Sequence, residues 1–175
     1  MNIFFLSWNP TKCAQYHFDR HVIKMILELA QMLCTAHHVL GSNTLINGYK
    51  ATHINHPTCK WVREHLHNYI FCARIAIALC DEYFYRYGQH KSPQKQHSSR
   101  QLIEWLINNP PKNIPTISLK YIRLTNGWYM TLPPQAMPDE YKCDNPIEGY
   151  RMYYQSDMKA HIRGWKNRDV PEWFE

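Results

Sequence analysis

A row of polar side chains between residues 17 and 28 has the composition of a reactive site. Its members, His17, His21, Lys24 and Glu28, follow one another at spacings of four, three and four, so one α-helix would place them on one face. A glutamate among cationic groups is normally ionised, so Glu28 can act as a base or stabilise a developing positive charge. Lys24 can hold Glu28 in place or act as an amine nucleophile. The alternative is an ordinary solvated helix face.

The histidines of this row also suggest a metal site. His17 and His21 have the i, i+4 spacing that lets two imidazoles bind one ion. Further imidazoles are available at His37, His38, His53 and His56. No metal-binding signature is complete, because H-E-x-x-H is absent and Glu64 and His67 form an isolated Glu-x-x-His. We therefore expect no metal and no other cofactor.

Two further segments have the chemistry of a phosphate or nucleic-acid contact. Before Pro57, backbone N–H groups at a helix start, with His53 and Asn55, would suit a phosphate. The simpler interpretation is that Asn55 or His56 caps that helix. Late in the chain, basic residues alternate with aromatic rings, a pattern that suits a nucleic-acid backbone with stacked bases. The members of this segment are Tyr150, Arg151, Tyr153, Tyr154, Lys159, His161, Arg163, Trp165, Lys166 and Arg168.

The composition is that of one folded domain with a basic surface. The chain has 175 residues, 45% of them hydrophobic and 19% charged, so we expect a single helical domain over residues 1–175. Its net charge of +6 is compatible with a polyanionic partner. The apolar run at residues 3–6 is too short for a signal peptide or a membrane span. The six cysteines form no C-x-x-C pair, and we expect reduced thiols in a cytoplasmic protein. We also expect a monomer without membrane association.

Helices have to position these residues. Apolar residues at spacings of three and four predict a first long helix over residues 12–40, and a second over residues 57–87 that belongs at the centre of a bundle. A shorter helix is predicted to end at Asn108, before two prolines, and a last one to run from about residue 145 to 163.

The segments between the helices complete the expected fold. Residues 110–146 contain seven of the 11 prolines and predict an ordered but irregular wrap, while residues 1–6 would form a short strand or an extended arm. The expected fold class is therefore mostly α. It is a single-domain bundle of three to four main helices with a proline-rich irregular wrap across them.

Six segments follow one another along the chain: the arm at residues 1–6, the helix over 14–40 with its Glu, the segment 49–57 with its Asn-His-Pro, the helix ending in Tyr85-Arg86-Tyr87-Gly88, residues 137–141, and the cluster Tyr150-Arg151-Met152-Tyr153-Tyr154. Their order resembles that of the endonuclease V-type pyrimidine-dimer DNA glycosylases, which are small, basic, all-helical repair enzymes. Together the six segments are spread over most of the chain.

The resemblance implies a DNA N-glycosylase and AP lyase that acts on damaged duplex DNA. In this family the N-terminal α-amine attacks C1′ to form a Schiff base, a Glu assists, and basic residues hold kinked DNA with a flipped-out base. Carried over by position, the amine belongs to Met1 or Asn2, and the acid is Glu28, with Lys24 beside it. The residues expected to contact phosphate or the lesion are His17, Arg20, His21, His53, Asn55, His56, Arg151 and Lys159.

Two other functions fit the same residues. The first is a His-rich helical enzyme, with or without a metal, that acts on a nucleotide or another phosphorylated small molecule. A stoichiometric metal in the purified protein would favour it. The second is a non-catalytic nucleic-acid-binding module, in which the polar row is only a docking face. Salt-dependent DNA binding without any product would favour that one.

Overall fold

The computed structural model describes residues 1–41, 47–117, 121–123 and 129–175. Within these ranges the chain is mostly helical, which confirms the predicted fold class. The α-helices are α1 (Pro10–Tyr16), α2 (Asp19–Val39), α3 (Pro57–Glu64), α4 (Leu66–Tyr83), α5 (Arg100–Asn108) and α6 (Pro146–Gln155). A π-helical turn covers Phe84–Gly88, and 3-10 turns cover Asp139–Tyr141 and Asp157–Ile162. Two short antiparallel strands, β1 (Tyr121–Arg123) and β2 (Tyr129–Thr131), pair Ile122 with Met130.

The prediction of one helix over residues 12–40 is wrong, because the chain breaks between α1 and α2. His17 and Phe18 have extended backbone, with ψ angles of 138° and 152°. The buried guanidinium of Arg86 donates hydrogen bonds to the carbonyl groups of Gln15 and His17, at 2.9 and 3.0 Å. In a continuous helix these carbonyl groups would accept hydrogen bonds from backbone N–H groups of the next turn. Here the side chain of Arg86 binds them instead.

The predicted helix over residues 57–87 is also divided, since His65 is extended and separates α3 from α4. The His65 side chain accepts a hydrogen bond from the His67 N–H, which caps the start of α4. The last helix ends at Gln155 instead of near residue 163, because Ser156 is extended and a 3-10 turn follows. At its start the Asn145 side chain accepts a hydrogen bond from the Ile147 N–H and caps the helix.

Helix α4 lies at the centre of the bundle and packs against α1, α2, α3 and α5, as its all-round apolar sequence predicts. The first six residues form an extended arm and pair with no strand in the described ranges. Ile3 to Leu6 of this arm are buried, and the Phe5 ring contacts the rings of Trp61, Phe71 and Tyr150. The arm is therefore held between α3, α4 and α6, and its first two residues lie against α2.

The remaining segments agree in part with the sequence. All six cysteines are free thiols. The proline-rich wrap contains the two short strands, and its residues 118–120 and 124–128 lie outside the described residues. None of the helices in the described ranges is both long and apolar enough to span a membrane.

Candidate active site

The buried arm brings the amino terminus onto the carboxylate of Glu28, halfway along α2. Oxygen Oε2 lies 3.7 Å from the Met1 α-amine and accepts a hydrogen bond of 3.0 Å from the Asn2 amide. The other oxygen, Oε1, lies 3.3 Å from Lys24 Nζ. The Glu28 side chain is only 12% exposed, whereas that of Lys24 is 70% exposed. The structure thus brings together the amine, the acid and the lysine that the sequence had singled out.

Contacts with distant parts of the chain fix the position of the first two residues. The Asn2 side chain donates to the carbonyl of Ala136 at 2.9 Å, and its Oδ1 accepts from the Tyr150 hydroxyl at 3.1 Å. The Met1 side chain is 2% exposed, and the Cys59 thiol lies 3.2 Å from its sulfur. The α-amine is therefore held in one place.

His56 borders the same site and also begins α3. Its Nδ1 accepts a hydrogen bond from the Thr58 N–H at 3.3 Å, so His56, and not Asn55, is the cap of this helix. Burial lowers its pKa, and so do the positive charges of the N-terminal amine and His53. An uncharged imidazole beside the amine can accept a proton from it.

Lys159 approaches the site from the other side, in the 3-10 turn after α6. Its ammonium lies over the rings of Phe4 and Tyr153, 5.0 and 4.6 Å from their centroids. Burial lowers the pKa of Lys159, the Lys24 charge lowers it further, and Glu28 acts in the opposite direction. The site therefore holds more positive charges than negative ones, a balance that favours an anionic ligand.

The two histidines of the polar row lie below the surface, not on an exposed helix face. His17 follows the end of α1, outside α2, and its Nδ1 is 2.7 Å from the Cys13 carbonyl. The His21 ring stacks on Phe4, and its Nδ1 is 2.5 Å from the Tyr154 hydroxyl. These contacts give both histidines a packing role beneath the arm. Burial lowers their pKa values, to about 4 for His17 and about 2 for His21.

The other predicted contact residues are spread around the site. Arg20, His53 and Asn55 are exposed, with Arg20 one turn before Lys24 on α2. Arg151 is engaged elsewhere: its Nε donates to the Leu6 carbonyl at 3.1 Å, and its guanidinium lies over the rings of Tyr16 and Trp173. It holds the arm and the C-terminal tail.

Sequence reasoning did not find the aromatic contacts of Lys159 or the role of Tyr150. The Phe4 and Tyr153 rings hold the lysine, and the Tyr150 hydroxyl binds Asn2 and also lies 3.1 Å from the Pro134 carbonyl. Phe4 and Lys159 lie 155 positions apart in the chain, and Asn2 and Tyr150 lie 148 apart. Nothing in local spacing indicates such a contact.

An open cavity of about 300 Å³ lies at the start of α3. Its walls are formed by Asn55, Pro57, Lys60, Trp61, Glu64, Leu132 and Pro134. The carbonyl group of one wall residue, Pro134, lies 3.1 Å from the Tyr150 hydroxyl, which also binds Asn2. As for metals, no group of three or more His, Cys, Asp or Glu side chains in the described residues is arranged to hold an ion.

The buried histidines predict that acid destabilises the fold. Burial lowers the pKa of His17 and His37 to about 4 and that of His21 to about 2, from an ordinary 6.5. As the pH falls below about 6.5, the unfolded chain takes up these protons and the folded chain does not, so stability decreases. Between pH 6.5 and its folded pKa, each of these histidines lowers the free energy of unfolding by about 1.4 kcal/mol for every unit by which the pH falls.

Urea unfolding at pH 7, 6 and 5 measures this slope. We expect His37→Gln to reduce the dependence of the free energy of unfolding on pH by about one proton. Equal slopes for the wild type and His37→Gln would contradict the burial argument.

No protein-family model, curated protein or solved structure matches this chain, so its function has to be inferred from the geometry of the site.

Proposed function

We propose that the protein is a DNA-processing enzyme with the chemistry of a pyrimidine-dimer-type glycosylase and AP lyase. The observation that carries this proposal is the α-amine of Met1, 3.7 Å from the carboxylate of Glu28. A primary amine beside a fixed acid is the arrangement that Schiff-base formation with a sugar carbon requires. This is also the pair of groups that the resemblance to the pyrimidine-dimer enzymes implies.

The proposed reaction uses each group in turn. The uncharged amine attacks C1′ of the damaged nucleotide, and the glycosidic bond breaks as the base leaves with the electron pair and takes up a proton. The attached amine passes a proton to Glu28, and this proton goes to O4′ as the C1′–O4′ bond breaks, which opens the sugar ring and leaves a protonated Schiff base. Removal of a C2′ proton then expels the 3′ phosphate by β-elimination, and Glu28 is the base for these proton transfers. α-Amines are in general less basic than lysine amines.

The surroundings of the site support a nucleic-acid substrate. Lys24 and Lys159 place two ammonium groups around a single carboxylate. Arg20, one turn before Lys24 on α2, and His53, three residues before His56, are exposed. Cations that contact phosphates supply most of the affinity for DNA. The cavity beside α3 is large enough for a nucleobase, and Trp61 forms part of its wall.

The proposal requires a free α-amine at Met1 or at Asn2. The buried Met1 side chain supports a reaction at Met1. If Met1 were removed, the α-amine of Asn2 would take the place of an amide nitrogen that lies 3.0 Å from Glu28 Oε2. Either terminus keeps an amine beside the acid, and the intact mass of the protein identifies which is present.

Borohydride trapping tests the chemistry. Incubation with an abasic or ultraviolet-damaged duplex and borohydride should give a covalent protein–DNA adduct, and peptide mass spectrometry should place it on the α-amine. A variant with two extra residues before Met1 should lose the adduct, because its amine is displaced from Glu28. Lys24→Gln should keep it.

Two results would overturn the proposal. One is the absence of adduct and of cleavage on all damaged and abasic DNA, which, together with salt-dependent binding, would leave a nucleic-acid-binding module. The other is an adduct that maps to a lysine side chain and survives the N-terminal extension.

A further inference from the structure

The solvent-facing side of α2 carries an apolar pair next to the reactive groups. Ile23 and Leu27 are 44% and 39% exposed, although the opposite side of the helix is buried in the core. Their i, i+4 spacing makes them neighbours on one helix face. Arg20 and Lys24, both exposed, have the same spacing and form a parallel row beside them. The four residues form one surface, the α2 ridge.

The ridge adjoins the candidate active site directly. Ile23 precedes Lys24 and Leu27 precedes Glu28, so each apolar residue is followed in the chain by one of the two residues of the ion pair. Consecutive Cα atoms are about 3.8 Å apart. Lys24 belongs both to the ridge and to the site, since its Nζ lies 3.3 Å from Glu28 Oε1 and the other oxygen of Glu28 lies 3.7 Å from the α-amine.

Its mixture of side chains favours DNA over protein as the partner. The centres of protein–protein interfaces are depleted in charged residues, apart from arginine. Proteins that bend DNA from the minor groove combine Arg and Lys with apolar side chains that insert between base steps. The α2 ridge has two cations interleaved with two branched apolar residues, and the whole chain carries a net charge of +6.

We infer that Ile23 and Leu27 form a wedge that inserts into duplex DNA at the base step next to the reacting nucleotide. Arg20 and Lys24 bind the flanking phosphates, and the unstacked step exposes C1′ to the α-amine. The inference rests on the proposed function and specifies how a buried sugar carbon in a duplex becomes accessible. Single-stranded DNA is already unstacked, so it does not need the wedge.

The test compares the same abasic strand in a duplex and alone. Ile23→Gln/Leu27→Gln keeps good helix formers at both positions, and Val39→Gln is the matched control, since Val39 lies at the far end of α2 and is 42% exposed. We expect the double variant to lose about tenfold or more in duplex cleavage and to lose the fluorescence increase of a 2-aminopurine placed beside the lesion. Trapping on the single strand should be unchanged, and Val39→Gln should match the wild type in all assays.

The outcomes separate the wedge from the proposed function. If the wild type forms no adduct on either substrate, the proposed function fails. If the wild type reacts with both substrates, either of two results for the double variant contradicts the wedge. One is normal cleavage of the duplex, and the other is an equal loss of activity on the duplex and on the single strand. Light scattering on the same proteins identifies a protein interface: loss of a dimer in the double variant, with normal duplex cleavage, would assign the ridge to a second copy of the chain and overturn the wedge.

Discussion

Replacing Glu28 by glutamine is expected to slow cleavage of an abasic duplex by about 10²–10⁴-fold, the range typical of a lost general base. Glutamine has nearly the same shape, and its carbonyl oxygen can still accept the hydrogen bond from the Asn2 amide. It cannot accept a proton from the amine or from the sugar. Single-turnover cleavage with excess protein measures the chemical step directly, without a contribution from product release.

A second glutamate provides the control for this experiment. Glu104 lies on α5, is about half exposed and pairs with Arg100. Glu104→Gln should cleave at the wild-type rate, and the thermal unfolding of both variants reports whether the fold is kept. A correctly folded Glu28→Gln protein that cleaves as fast as Glu104→Gln would remove Glu28 from the mechanism. A slow variant that still forms the borohydride adduct would place Glu28 in the elimination step.

The sequence predicts a helix correctly where apolar periodicity determines it. The prediction fails where a side chain from a distant part of the chain ends the helix. Apolar spacing correctly indicates that residues 19–39 and 66–83 are helical. The first of these helices is stabilised by burial of one apolar stripe, and the second by burial on nearly all sides. The break at His17 depends on Arg86, which is about 70 residues away in the chain. A local pattern cannot reveal such a partner.

The same distinction applies to the candidate site. Glu28 and Lys24 are i, i+4 neighbours on one helix, so their pairing follows from their spacing. The approach of Met1 depends on how the arm packs, above all on Phe5 among the rings of α3, α4 and α6. The burial of His17 and His21, which the sequence predicted to contact phosphate or the lesion, results from the same packing. Tertiary contacts thus decide which members of the polar row face a ligand.

Arg86→Met is expected to destabilise the fold by about 3–5 kcal/mol, the range for breaking a buried ion pair. The Arg86 side chain is fully buried and donates to Glu82 at 2.6 Å and to Asp19 at 2.9 Å. It also binds the two carbonyl groups at the break between α1 and α2. Methionine fills much of the space but donates no hydrogen bond, so buried acceptors lose their partners. Urea unfolding at neutral pH measures the loss.

An exposed ion pair gives the appropriate comparison for this loss. Arg100 pairs with Asp81 and Glu104 at 2.7 and 2.8 Å, and both of these carboxylates are substantially exposed. Arg100→Met should therefore cost no more than about 1 kcal/mol. Added salt should weaken the contribution of Arg100 more than that of the buried Arg86. Glu82 retains Arg168, at 2.8 Å, in the Arg86→Met variant, so its own charge remains compensated. Asp19 likewise keeps its hydrogen bonds from the Lys166 N–H, at 3.0 Å. The expected loss thus comes mainly from the carbonyl groups of Gln15 and His17, which lose their donor. Equal stabilities of Arg86→Met and Arg100→Met would show that the junction of α1 and α2 does not depend on this guanidinium.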